Sequence, residues 1–293
     1  MLQHNFCSAL LRIFLVTLAS CSTTQTSDMQ PLQPPYPPSC IDYSKNSNNP
    51  TVLFVHGLNQ DPSSLTTYSE LFRSNGFNTC LAALTSHSKA KISQDKHKSS
   101  LSQWQFDLLS QVEETKKRFP NTALSFVAFS IGAPLIVDLI VRHPEHTPQK
   151  LIFLAPAFAL NWQSQLPKIL TPLRFLNLSL PSLAPEKYRV GGSTSLHSYA
   201  ASYGLIESTS TIDPGHQLNS IPALILLSPN DEVVSLTGIK EWKDRNGLES
   251  WQIKEIQIDN QNSWHHLLIN AEETGDTSWQ LITQSIQKFL ENR

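Results

Sequence analysis

From residue 50 onward, short apolar and β-branched runs alternate with longer stretches whose apolar residues recur every three to four positions. No other feature of the chain constrains the fold as tightly, because strands separated by helical crossovers pair in parallel and end up covered on both faces. Strands are expected over 51–55, 78–84, 123–128, 151–155 and 223–228, and an alternating run over 251–258 is expected near an edge. Helices are expected over 65–74, ended near Gly76, along Leu101, Trp104, Leu108, Val112 and Thr115 up to Phe119-Pro120, over 133–142, and along Trp279, Ile282, Ile286 and Phe289. The expected class is therefore α/β, with a mostly parallel, doubly wound sheet.

Between Pro156 and Ile221 the alternation breaks, and residues 157–220 are rich in Pro, Leu and Ser, with Trp162, Leu166, Ile169, Leu170, Leu173, Phe175 and Leu176 in the first half. A loop that long inside a compact domain is usually functional, so this stretch is expected to form a cap over an active site. The 293 residues suit one large α/β domain carrying such an insertion, placed here at 50–293.

The charge balance argues against one class of partner. A net charge of -2 with no dense Lys/Arg run offers no electrostatic footprint for nucleic acid. The ten histidines are scattered, without H-E-x-x-H or paired C-x-x-C spacing, so no metal site is expected and no cofactor is implied.

The start of the chain has a different composition. Residues 1–12 are polar with a basic Arg12, residues 13–19 are apolar, and Leu18-Ala19-Ser20-Cys21 follows. That quartet resembles a bacterial lipobox, which implies a signal peptide over 1–20, cleavage before Cys21, acylation of its thiol with palmitate-type chains, and a lipoprotein held on a membrane of the cell envelope. An ordinary signal peptide or short anchor is the alternative, although the apolar stretch is too short to span ~30 Å of hydrocarbon. Residues 21–49, rich in Ser, Thr, Asn and Pro, read as a disordered tether. In an oxidising compartment Cys40 and Cys80 form a candidate disulfide; the alternative is a buried Cys80 and a free Cys40.

Ser130 lies where an expected strand turns into an expected helix, in Ala128-Phe129-Ser130-Ile131-Gly132. This is the context of the G-x-S-x-G nucleophile elbow, whose tight turn requires small flanking residues, with Ala128 replacing the first glycine. A serine hydroxyl needs a base, an acid to orient the base, and donors for the oxyanion. Asp231, just past the buried run 223–228, is placed to be the acid, with Glu232 a neighbouring rival. With His56-Gly57-Leu58 following the first strand, the chain resembles the α/β-hydrolase superfamily over about residues 50–290, particularly its capped esterases and monoglyceride-lipase-like members. The resemblance implies backbone N–H donors at Leu58 and Ile131, a structural His56, and a base in Trp264-His265-His266-Leu267-Leu268. The family pattern of histidine, any residue, then apolar favours His265, with His266 as the alternative. The expected activity is hydrolysis of small-molecule or lipid carboxylic esters; a peptidase, a thioesterase, or a silent hydrolase-like lipoprotein that binds apolar ligands are the competing readings. A serine at position 130 excludes the dehalogenases of this fold, which carry Asp there.

Overall fold

The computed structural model describes residue 32 and residues 36–43, 48–89, 97–182, 184–213, 217–260 and 262–291. The expected signal peptide and Cys21, the expected site of acylation, lie outside them.

Seven strands form one sheet: β1 (Ser39–Ile41), β2 (Thr51–Val55), β3 (Asn78–Leu81), β4 (Leu124–Phe129), β5 (Leu151–Leu154), β8 (Ala223–Leu227) and β9 (Gln252–Glu255), in the spatial order β1-β3-β2-β4-β5-β8-β9. Every pairing is parallel except that of β1 with β3. The continuous apolar runs 51–55, 151–154 and 223–227 are buried along their whole length, as parallel strands covered by helices on both faces must be. The helices are α1 (Thr66–Ser74), α2 (Leu101–Arg118), α3 (Gly132–Arg142), α4 (Leu196–Ser208), α5 (Leu236–Arg245), α6 (Ala271–Thr274) and α7 (Asp276–Glu291). Ser100 and Ser235 open α2 and α5 by accepting the N–H of Gln103 and Gly238, which satisfies donors that the first turn leaves unpaired. Beside the outer strands Phe158 stacks on Trp242 with ring centroids 3.9 Å apart, against Trp251 and Phe153.

Most strands begin or end within a few residues of expectation, and two larger differences have a visible cause. The strand expected over 78–84 stops at Leu81 because side chains take over the next amides: Ala83 N–H donates to Gln111, Leu84 N–H to His56 Nε2, and Thr85 N–H to Asp107. The tether expected over 21–49 is not wholly outside the fold. Its residues Ser39–Ile41 form β1, which covers the open edge of β3 and places Cys40 opposite Cys80, and the two are joined by a disulfide.

The insertion between β5 and β8 contains 3₁₀ turns over Gln163–Leu176, the small hairpin β6 (Ser179–Pro181) with β7 (Ser193–Ser195), and α4. Pro167 and Pro172 interrupt the first of these, and none of its residues is buried. Trp162, Ile169 and Phe175 are 69%, 76% and 71% exposed.

Candidate active site

β4 delivers the chain to Ser130, which adopts a left-handed backbone with φ of 52° before α3 begins. The turn is held on both sides, by Ser130 N–H donating to Leu154 O and by Ala133 N–H and Ala157 N–H donating to Ser130 O. Gly132 is required by contact: a Cβ there would stand 2.6 Å from Val55 O and 2.8 Å from His56 O. The left-handed conformation is unfavourable for a serine and persists only because its surroundings fix it. Its consequence is to lift the hydroxyl off the end of the sheet.

The hydroxyl meets His266. Ser130 Oγ lies 3.0 Å from His266 Nε2, and His266 Nδ1 lies 2.8 and 3.0 Å from the two carboxylate oxygens of Asp231. With Nδ1–H donated to the carboxylate, Nε2 is left as the acceptor for the serine proton. Asp231 is fixed in turn, because its Oδ1 accepts the N–H groups of Val233 and Val234, each at 2.8 Å, and its carbonyl accepts from Asn161. All three residues are buried, at 6 to 7% exposure, and the Phe129 ring packs against the imidazole at 5.0 Å between centroids.

His265, the expected base, is therefore corrected to His266. The ring of His265 bonds neither Ser130 nor Asp231; its backbone N–H donates to Glu232. The histidine–any–apolar pattern fits His266-Leu267-Leu268 as well as it fits the triplet one residue earlier. The turn in which Leu267 N–H donates to Trp264 O brings His266, Leu267 and Leu268 inward and leaves His265 partly exposed. Glu232 is not a rival acid, since its carboxylate bonds the backbone of His265 and His266 and not the imidazole.

Leu58 and Ile131 line the same cavity as Ser130. The loop bearing Leu58 is braced from below and from the insertion. Gly57 N–H donates to Gln60 Oε1 at 2.6 Å, and Asn59 exchanges bonds with Val190 and Gly191. His56 points into the core, its Nδ1–H on Gly57 O and its Nε2 accepting from Leu84 N–H. Burial pushes its pKa down to about 4, and that of the neighbouring His87 to about 3. His56 is accordingly a neutral brace.

The cavity above Ser130 has a volume of about 920 Å³ and runs beneath the insertion, between Leu160, Pro167 and Tyr203 on one side and Val233 and Leu267 on the other. Among the described residues no group of His, Cys, Asp or Glu is placed to hold a metal ion, and no helix is long and apolar enough to cross a membrane.

A mostly parallel sheet with Ser130, Asp231 and His266 beyond the carboxyl ends of its strands, in that chain order, defines an α/β hydrolase. Residues 46–198 match the family model described as serine aminopeptidase, S33, and the chain belongs to that hydrolase family. No curated protein matches it. Among solved structures it is similar to a protein from a study of LipS and LipT, two metagenome-derived lipolytic enzymes, at 19% identity and a TM-score of 0.63, covering 89% of this chain and 100% of that one. A soluble variant of monoglyceride lipase from Saccharomyces cerevisiae aligns at 10% identity and a TM-score of 0.64, covering 87% and 90%. Est1E from Butyrivibrio proteoclasticus, solved with ferulic acid, aligns at 16% and 0.60, covering 86% and 93%. At these identities the likeness is one of fold.

Proposed function

We propose that the protein is a serine hydrolase that cleaves carboxylic esters with apolar acyl groups. The observation that carries this reading is the unbroken hydrogen-bonded series from Ser130 through His266 to Asp231 beneath a large, mostly apolar cavity. Ser130 Oγ attacks the ester carbonyl while His266 Nε2 takes its proton, and the N–H groups of Leu58 and Ile131 receive the charge that forms on the carbonyl oxygen. His266 then returns the proton to the departing alcohol. Water, deprotonated by the same nitrogen, releases the acid from the acyl-enzyme. Asp231 holds the imidazole in the required tautomer throughout.

The family description raises aminopeptidase activity as a second reading. Such an enzyme needs a carboxylate free to bind the substrate's ammonium group. Of the described residues lining the cavity only Asp231 and Glu232 are acidic, and both are engaged with the histidine turn. That favours the ester. A fluorophosphonate probe, with p-nitrophenyl esters beside aminoacyl p-nitroanilides as substrates, tests the proposal: labelling at Ser130 and turnover of esters are expected, and faster turnover of the anilides would overturn it.

We also propose that Cys21 is acylated and anchors the enzyme to a membrane of the cell envelope. The Leu18–Cys21 quartet supports this reading, as does the Cys40–Cys80 disulfide, which fits an oxidising compartment. So does the cap, where exposed Trp162, Ile169 and Phe175 accompany Lys168 and Arg174 in a stretch, 161–185, that has no Asp or Glu. Mass spectrometry of the mature N-terminus decides it; an N-terminus other than an acylated Cys21 would refute the anchor.

A further inference from the structure

Asp231 and Glu232 are consecutive, yet their carboxylates grip the same histidine from two directions. Asp231 takes the imidazole at Nδ1, while one oxygen of Glu232 accepts the N–H of His265 at 3.1 Å and the other accepts the N–H of His266 at 3.2 Å. From these contacts we infer that Glu232 is a positioning residue for His266, acting through the backbone of the turn that carries the imidazole; the inference rests on the proposed serine hydrolase reading.

A ring bonded only at Nδ1 can still pivot about that bond as its backbone shifts. Fixing the peptide N–H of the same residue removes that freedom and sets where Nε2 lies relative to Ser130 Oγ, now 3.0 Å away. Within the turn itself the backbone bonds are Leu267 N–H to Trp264 O and Leu268 N–H to His266 O, both downstream of the two amides that Glu232 holds. Bonds from N–H groups to a carboxylate are stronger than those to neutral acceptors, and here they span more than thirty residues of sequence to tie the acid loop to the base loop. The same pair of bonds explains why one of two adjacent histidines faces the serine: with successive amides both turned toward Glu232, the side chain of His266 falls inward. Glu232 is itself exposed at the cavity wall, so replacing it removes no core packing.

The test uses the full chain and compares Glu232→Ala and Glu232→Gln with the parent, by steady-state kinetics on a p-nitrophenyl ester and by the rate of fluorophosphonate labelling. Misplacing a catalytic group by about 1 Å can lower the rate about 100-fold. The expected result for Glu232→Ala is a kcat lower by about 10- to 100-fold, a KM within about twofold of the parent, and a labelling rate that falls in proportion to kcat. Glu232→Gln keeps one acceptor oxygen and should fall between the two. Should Glu232→Ala fail to fold, the Gln variant alone decides. Unchanged kcat in the folded variants, or a loss carried wholly by KM, would overturn the inference. A parent that neither takes the label nor cleaves any ester would instead defeat the hydrolase reading, and this inference with it.

Discussion

The carboxyl ends of the strands and the inserted cap enclose the same cavity but are built on opposite terms. At the strand ends buried side chains are tied to the backbone and to one another: Asp231 accepts two amides and an imidazole N–H, Gln60 Oε1 accepts the N–H of Gly57, and His56 spans two backbone groups. In the cap, Gln163–Leu176 buries none of its residues, and two prolines break its turns. Groups that exchange a proton must stay within tenths of an ångström, and dense packing achieves that; a wall that accepts varied acyl chains gains from looser packing. On the proposed reading, chemistry falls to the sheet and substrate choice to the cap.

The sharpest way to break that division is Ser130→Ala. Turnover should fall by at least about 10⁴-fold with the melting temperature nearly unchanged, because the hydroxyl faces the cavity; retention of a few per cent of activity would place the nucleophile elsewhere. His266→Ala should lower kcat about 10³-fold or more, and His265→Ala less than about tenfold. The reverse ranking would return the base role to His265.

A smaller effect probes the sheet side away from the cavity. His56 and His87 are held neutral by burial, with folded pKa values of about 4 and about 3, whereas in the unfolded chain they take up protons below about pH 6.5. The unfolded state therefore binds more protons as the pH falls, so stability is full above that point and declines down to about pH 4 for His56 and about pH 3 for His87. The slope is on the order of 1.4 kcal/mol per pH unit for each histidine. Urea midpoints measured across this range should fall with acid, and His87→Leu should flatten the decline; an unaltered slope would mean that His87 does not contribute.

The mildest prediction concerns the cap. Each CH₂ buried under Leu160 and Tyr203 should add up to ~0.8 kcal/mol, nearly fourfold in kcat/KM per carbon, until the cavity is full. Deleting residues 163–176 should flatten that dependence while leaving acetyl ester turnover in place. A steady fall in kcat/KM from acetyl to octanoyl esters in the intact protein would show the cap to be packing alone.

How legible the molecule was in its sequence depended on whether local pattern or distant contact decided each part. The buried strands and the Ser130 elbow carry their own signal: continuous apolar runs, and a helix-side Gly132 that nothing larger can replace. The strand-side flank tolerates Ala128, fully buried in β4, so the departure from glycine obscured nothing. The helix Leu236–Arg245 went unread because only Ile239 and Trp242 are buried, too few for a clear period. β1 was unreadable for another reason. Three residues set among polar and proline-rich neighbours become a strand because β3 has an edge to fill, a fact held forty residues away. The choice of His266 over His265 likewise depended on a turn whose direction is set by Glu232.

That small edge strand bears on how the protein is made. Cys80 is completely buried within β3, and its partner Cys40 is half covered. An oxidant or an isomerase must therefore reach the pair before the edge closes, or while it is open. A chain that folded first under reducing conditions would carry one thiol sealed away from later oxidation, and protein recovered that way would differ by two hydrogen atoms from protein oxidised before the edge closed.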